Sequence, residues 1–258
     1  MGILILKLTL TPALIGAASL ASRRWGSEVG GWLVGIPFTS GPIAFFLAVG
    51  PGVHFAADAS VGILAGAVSQ AAFALAYAWT ALRFGWVWSV TSATVAFAVA
   101  TLVLDVVPAG TVVTLVLAVS ALVIALAAMP RQATKRSESV ELPWWDIPAR
   151  MLVATVFVLA LTSAAPALGA RLSGLLSPFP IYAAVLCVFA HRLQGVAAGI
   201  AVMRGLLLGL FGFAAFFAVL AFWLEPGGVA PAFAIAIVAS LAVQAGSLVV
   251  GRRLLRLA

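Results

Sequence analysis

Two ionisable side chains fall inside apolar segments, where a charge is costly. Asp58 and Arg204 each lie within a stretch that is long and apolar enough to cross a membrane. Charged residues in such segments are rare and mark functional positions or ion pairs. On an ideal helix each shares a face with small or polar residues, so both side chains are expected to point into the protein. Helix geometry puts their depths within about 5 Å of each other, so they could pair or share a ligand.

Helix-breaking residues interrupt the second apolar segment. Positions 30–42 read GGWLVGIPFTSGP, and positions 169–180 read GARLSGLLSPFP. Proline removes a backbone donor, and a freed carbonyl within a membrane must be satisfied by protein or water, so both breaks are expected to line a cavity. The two runs can be aligned so that three pairs coincide: Gly30 with Gly169, Leu33 with Leu172, and Gly35 with Gly174.

Polar groups inside these breaks are the best candidates for ligand contact. The predicted substrate-binding residues are Thr39, Ser40, Gly41, Ser177 and Arg204, and the predicted proton- or sodium-coupling residue is Asp58. Two structural alternatives stay open. The hydroxyls could cap the half-helices that follow the breaks, and Asp58 and Arg204 could form an ion pair that fixes only the packing.

Composition defines the class of protein that carries these residues. Of 258 residues 64% are apolar and 8% charged, and the mean hydropathy is +1.22. These values indicate a polytopic membrane protein in the lipid bilayer. The lone cysteine, Cys187, provides neither a disulfide nor a cysteine metal site. The basic pI of about 11.1 does not point to nucleic acid, because no soluble domain is present to carry a basic face.

Apolar runs separated by charges, glycines and prolines predict an all-α protein with about nine transmembrane helices. The third and eighth runs are long enough to be tilted, broken or preceded by a half-helix. The nine predicted spans are 3–22, 29–50, 53–82, 85–107, 111–129, 147–168, 171–190, 193–224 and 229–251.

Basic residues predict the orientation of the chain. With the N-terminus outside, eleven Lys and Arg residues fall on the cytoplasmic side and two outside. This is the bias of the positive-inside rule, and it predicts a multi-pass protein of a bacterial-type inner (plasma) membrane with a cytoplasmic C-terminus.

The polar connection at 130–141 divides the chain into two halves. We predict a first repeat at 1–107, a connector helix and cytoplasmic loop at 108–146, and a second repeat at 147–258, with helices 2 and 7 broken. An odd number of spans between equivalent helices makes the two four-helix repeats inverted in topology. Polar stripes in spans 4 and 9 are expected to hold helices together; they comprise Thr91, Thr94, Ala98, Thr101 and Asp105, and Ser240, Gln244, Ser247 and Gly251.

Enzyme chemistry has no support in the motifs. The sequence contains no nucleophile-and-base constellation, phosphate-binding loop or metal-ligand spacing, and it calls for no cofactor. His54 and His191 are expected near helix ends on opposite faces of the membrane.

The function that fits best is a secondary transporter for a small anionic or zwitterionic solute, coupled to protons or sodium. The alternative is a non-transporting membrane subunit or assembly factor that binds a partner protein or lipid. The sequence leaves a homodimer open.

Overall fold

A computed structural model describes residues 2–37, 40–49, 52–106, 109–130, 143–153, 155–156 and 178–256. Within these ranges the regular structure is helical and no residue lies in a strand. A further helical stretch without a label covers residues 146–153. The labelled helices are α1 (Gly2–Trp25), α2 (Ser27–Val34), α3 (Ser40–Val49), α4 (Val53–Ala81), α5 (Trp86–Val106), α6 (Thr111–Ala128), α7 (Ile181–Gln194), α8 (Val196–Gly227) and α9 (Val229–Arg256).

Five of these helices are long and apolar enough to cross a membrane. They are α4, α5, α6, α8 and the Val229–Ser247 part of α9, and α7 is a shorter apolar helix. The protein is therefore a helical, multi-pass membrane protein, whereas the predicted count of nine spans is not reached in the part of the chain that is described.

The long third and eighth apolar runs each form one uninterrupted helix. α4 has 29 residues and α8 has 32 residues. At 1.5 Å per residue they are roughly 44 and 48 Å long, well beyond a hydrocarbon core of about 30 Å. Each must tilt or project beyond the core, and neither contains the half-helix that the sequence left open.

α4 and α8 pack along each other at the centre of the bundle and run antiparallel. His54, in the first turn of α4, forms an ion pair with Glu225 near the end of α8. Near the other end of α4, the Tyr77 hydroxyl is 2.9 Å from Nδ1 of His191, which lies one helical turn before the glycine that precedes α8. The buried core, which includes Phe73, Phe97 and Phe217, extends over both helices.

The starts of the long helices favour a different alignment of the two halves from the one that the breaks suggest. If Val53 at the start of α4 is placed on Val196 at the start of α8, the start of α5 falls on the start of α9. We call this alignment the Val53/Val196 register. It places Gly30 on Ser173, four residues beyond Gly169. The match expected from the breaks relied on three residue pairs in segments where glycine recurs every few positions, so several alignments give similar agreement.

The polar stripe predicted on α5 does not mark its buried face. Thr91 and Thr94 are exposed, and each hydroxyl donates to the backbone carbonyl four residues earlier. A threonine that satisfies its own hydroxyl in this way can face lipid. Only Thr101 of the stripe packs inward, with its hydroxyl 2.8 Å from that of Ser69. The buried face is formed by Ser89, Ala93, Phe97 and Thr101.

Candidate functional site

The second apolar segment is interrupted where the sequence predicts. α2 ends at Val34, and α3 begins at Ser40. The amides of Gly35 and Ile36 donate to the carbonyls of Trp32 and Leu33, three residues back, which closes α2 with a tight turn. The Pro37 carbonyl then accepts the Gly41 amide at 2.8 Å, so hydrogen bonding resumes with α3. The described backbone on each side of the break is therefore hydrogen-bonded.

Glycines let the backbone of α2 lie directly against the backbone of α8. A Cβ atom added to Gly35 would lie 2.5 Å from the Cα of Gly209, and one added to Gly31 or Gly205 would collide with a backbone carbonyl of the facing segment. Only residues without a Cβ allow this approach, as in other closely packed membrane helices. The end of α2 is therefore pressed against the middle of α8.

α9 completes the surroundings of the break. Nε2 of Gln244 donates to the Trp32 carbonyl at 2.8 Å, and Nε1 of Trp32 donates back to the Gln244 carbonyl at 3.1 Å. Ser247 donates to the Leu208 carbonyl at 2.8 Å. These bonds give Gln244 and Ser247 the helix-to-helix role expected for their stripe. The buried Oε1 of Gln244 and Oγ of Ser240 have no hydrogen-bond partner in the described chain.

Two of the predicted substrate-binding residues can be placed at this break. Ser40 is 2% exposed at the first position of α3. Gly41 is buried, and a Cβ there would meet the Phe216 ring of α8 at 3.5 Å. Thr39 and Ser177 lie outside the described residues. The contacts of Gly41 and Gly35 bring the start of α3 and the end of α2 against a single helix.

Arg204 does not reach the break. Its Nη2 donates to the Pro130 carbonyl beyond the end of α6, at 3.2 Å. The next residue, Gly205, faces α2, and a step of one residue turns a helix by about 100°. The guanidinium therefore points towards the end of α6, and its expected place beside Ser40 and Gly41 has no support in this geometry.

Asp58 does not point into the protein, contrary to the sequence prediction. Its side chain is 75% exposed and lies 4.0 Å from the imidazole of His54. His54 also pairs with Glu225, and the rise along α8 from Arg204 to that glutamate is roughly 30 Å. Asp58 and Arg204 are thus separated by roughly 25 Å along the bundle. The sequence placed them at similar depths because it fitted both helices into a hydrocarbon core of about 30 Å, whereas α4 and α8 are roughly 44 and 48 Å long.

The buried charges of the described chain lie elsewhere. Asp146 is fully buried between two arginines: Nη2 of Arg23 contacts Oδ2 at 2.9 Å, and Nε of Arg150 contacts Oδ1 at 2.9 Å. The Arg150 side chain is only 2% exposed, and its guanidinium lies 5.2 Å from the centre of the Phe189 ring. We call Arg23, Asp146 and Arg150 the arginine–aspartate cluster.

The sequence contains a local signal for two of the three members of this cluster. Asp146 and Arg150 stand four positions apart, a spacing that brings two side chains together on a helix. The third member, Arg23, is 123 positions before Asp146, and no local pattern links them. The two arginines were interpreted only as topological charges.

His54 and His191 are separated by nearly the whole length of α4. His191 is mostly buried at the end of α7 and pairs with Tyr77, whereas His54 is exposed at the start of α4. From position 54 to Tyr77 the helix rises roughly 35 Å. The two imidazoles therefore occupy opposite ends of the bundle, as the sequence predicts.

No family model, curated protein or solved structure matches the chain. The chemical capacity of the sites therefore has to be argued from their geometry. In the described ranges, no three His, Cys, Asp or Glu residues are placed to hold a metal ion. The bundle contains a tightly packed helix break near its middle. Asp58, Glu225 and His54 lie at one end of the bundle, and several arginines lie at the other end.

Proposed function

We propose that the protein is a secondary transporter built from two inverted repeats, at 1–107 and 147–258, which α6 and the following loop connect. It moves a small anionic or zwitterionic solute across the inner membrane, with proton or sodium coupling. The two repeats rock against each other around the helix breaks, so that the solute site faces each side in turn.

The observation that carries this proposal is a pair of reciprocal contacts. A Cβ on Gly209 would lie 2.9 Å from the Cα of Gly35, and a Cβ on Gly66 would lie 2.5 Å from the Cβ of Pro178. In the Val53/Val196 register, Gly66 falls on Gly209 and Gly35 falls on Pro178. When residue i contacts j and the equivalent of j contacts the equivalent of i, the two units are related by a two-fold axis.

Residue identity along the central helices agrees with the same register. Without any gap, the stretch at 52–85 matches the stretch at 195–228 at ten positions. The paired positions are Gly52/Gly195, Val53/Val196, Gly62/Gly205, Leu64/Leu207, Gly66/Gly209, Ala71/Ala214, Ala72/Ala215, Phe73/Phe216, Ala78/Ala221 and Gly85/Gly228. In α5 and α9 the buried positions also correspond: 89, 93, 97 and 101 with 232, 236, 240 and 244.

The antiparallel pairing of α4 and α8 supports an inverted relation between the repeats. A two-fold axis that exchanges two antiparallel helices runs across them and not along them. If both helices span the bilayer, that axis lies in the membrane plane. This is the arrangement of inverted-topology transporters, whose solute sites lie near the midplane between discontinuous helices.

The uneven distribution of charge supports the proposed orientation. Asp58 and Glu225 lie at the end of the bundle where α4 begins. Arg83 and Arg192 lie at the opposite end, beyond the end of α4 and near the end of α7. By the positive-inside rule the arginine-rich end is cytoplasmic.

The solute class is proposed from the break itself. The first two residues of α3, Ser40 and Gly41, are buried, and a helix N-terminus carries partial positive charge that favours an anionic group. The coupling residue in this proposal remains Asp58, which is exposed at the end of the bundle where α4 begins. Protons or sodium would reach it from the outer side.

Transport can be tested by locking the repeats together. His54 belongs to the first repeat and Glu225 to the second, and their side chains touch. In a Cys187→Ala background, the pair His54→Cys and Glu225→Cys should form a reversible cross-link. In liposomes with an imposed proton or sodium gradient and a panel of amino acids and small organic anions, the cross-link should abolish uptake, and reductant should restore it.

A matched control uses the same chemistry within one repeat. The pair Thr80→Cys and Ser92→Cys joins α4 to α5 within the first repeat, where the two native hydroxyls lie 2.9 Å apart, and its cross-link should leave uptake unchanged. Uptake that continues at the same rate in the cross-linked His54/Glu225 protein would rule out rocking between the repeats. If no solute moves under any gradient, the protein belongs instead to the class of membrane subunits that bind a partner.

A further inference from the structure

We infer that the arginine–aspartate cluster is a binding site for an oxyanion, a phosphate or carboxylate group, at the arginine-rich end of the bundle. This inference goes beyond the proposed transport and does not depend on it, because binding can be measured without a solute gradient. It requires only the contacts between Arg23, Asp146 and Arg150.

The charges within the cluster do not balance. Two guanidinium groups share one carboxylate, and each occupies a different oxygen of Asp146. Three side chains therefore carry one net positive charge in a place where Asp146 is fully buried and Arg150 nearly so. Asp146 can neutralise only one of the two guanidinium groups, so a bound anion would offset the surplus positive charge.

An unused donor gives that anion a place to bind. The Arg150 guanidinium bonds Asp146 through Nε, whereas Nη2 is buried and has no hydrogen-bond partner in the described chain. The Phe189 ring lies over the guanidinium and holds its plane, although a ring face accepts no strong hydrogen bond. A guanidinium matches the geometry of phosphate and carboxylate oxygens, which it can bind through two N–H groups.

The surroundings allow two sources of the same chemistry. Trp144 and Trp145 precede Asp146 and are exposed, as is typical of residues at the level of lipid headgroups. The Arg23 side chain is 31% exposed, so the cluster has one open side. The oxyanion can therefore be the phosphate of an anionic lipid or a dissolved anion from the cytoplasmic solution.

Binding can be measured as thermal stabilisation in nanodiscs. In one arm the protein is in phosphatidylcholine alone, and inorganic phosphate is titrated at constant ionic strength maintained with chloride. In the other arm no phosphate is added, and phosphatidylglycerol replaces part of the phosphatidylcholine. Wild-type protein should be stabilised in at least one arm, and the arm that responds identifies the source.

The variants separate this site from general attraction to a basic surface. Arg150→Gln should weaken the response on the order of tenfold, since it removes the charge-assisted bonds. Arg192→Gln is the matched control: Arg192 lies at the same end, exposed and over the Trp86 ring, and its loss should leave the response unchanged. Equal losses in the two variants, or no wild-type response in either arm, would overturn the inference.

A second variant keeps the test decisive if Arg150→Gln does not fold. Asp146→Asn removes the carboxylate that competes with the ligand and leaves both arginines in place. Oxyanion binding should then become severalfold tighter, because the net positive charge of the cluster rises by one. If Asp146→Asn binds phosphate and anionic lipid no more tightly than the wild type does, the cluster is a structural ion pair and the inference is wrong.

Discussion

At the scale of single residues, four glycines determine how closely the two halves approach. Gly31, Gly35, Gly205 and Gly209 lie where a Cβ would meet facing backbone. Backbone cannot turn aside as a side chain can, so these positions tolerate no added atom without a shift of a whole helix. The resulting contact joins the broken helix of one half to the long helix of the other.

Gly62 and Gly66, one turn apart on α4, test the close contact between Gly66 and Pro178. Gly66→Ala should lower the free energy of unfolding by about 1 to 3 kcal/mol, because the new methyl group meets the Pro178 ring at 2.5 Å. Gly62→Ala is the control, since nothing lies within 4 Å of the added atom and alanine favours a helix. Reversible unfolding in detergent measures both changes. Equal effects would contradict the close contact at Gly66.

The reciprocal position makes a second comparison possible. Gly209→Ala should destabilise the protein at least as much as Gly66→Ala, because Gly209 faces the backbone of Trp32 and Gly35 whereas Gly66 faces a proline ring. The same unfolding measurement checks this order. A Gly209→Ala protein with wild-type stability would show that the end of α2 does not lie against α8.

At the scale of helices, most of the bounds followed from the sequence. Hydropathy and the punctuation by glycine and proline are local signals, and α4, α5 and α6 begin within one residue of the predicted starts. Orientation about the helix axis was harder to predict. The exposed threonines of α5 bond their own backbone, so their polarity indicates no buried face.

The candidate sites depended on contacts that cross the sequence. The helix break beside Ser40 and Gly41 could be predicted because its signal is local, and the role of these residues in binding stays a prediction. The relative depth of Asp58 and Arg204 was predicted wrongly because α4 and α8 are longer than the hydrocarbon core is thick. The Arg23–Asp146 pair joins helices 123 positions apart, and a single sequence has no signal for it.

The bonds between α2 and α9 should be measurable by substitution of one donor. Nε1 of Trp32 and Nε2 of Gln244 each donate to the other residue's backbone carbonyl. Trp32→Phe removes one of these bonds and should lower the free energy of unfolding by at least about 0.6 kcal/mol, the average for a hydrogen bond between membrane helices. Thr94→Val is the control and should cost less, since Thr94 is exposed and bonds its own helix. Reversible unfolding in detergent measures both changes, and equal stability of Trp32→Phe and the wild type would contradict this bond.

At the scale of the whole molecule, one symmetry would account for several separate features. The Val53/Val196 register relates the starts of two helix pairs, ten identical positions and the reciprocal contacts at the breaks. Repeated glycines alone would not produce contacts in both directions, so the proposed symmetry depends mainly on these contacts. In this register the charged residues differ between the two proposed repeats: His54 corresponds to Ala197, and Arg204 to Val61.

The antiparallel packing of α4 and α8 predicts which residues are accessible from each side of the membrane. In a Cys187→Ala background, single cysteines at Asp58 and Glu225 should react with a membrane-impermeant maleimide added to intact cells, because both side chains are exposed at the end with few basic residues. Cysteines at Arg83 and Arg192, exposed at the opposite end, should react only after the membrane is permeabilised. Labelling at Asp58 and Arg83 from the same side would show that α4 does not span the bilayer. Labelling of Asp58 and Glu225 from different sides would contradict the antiparallel pairing, and with it the two-fold axis in the membrane plane.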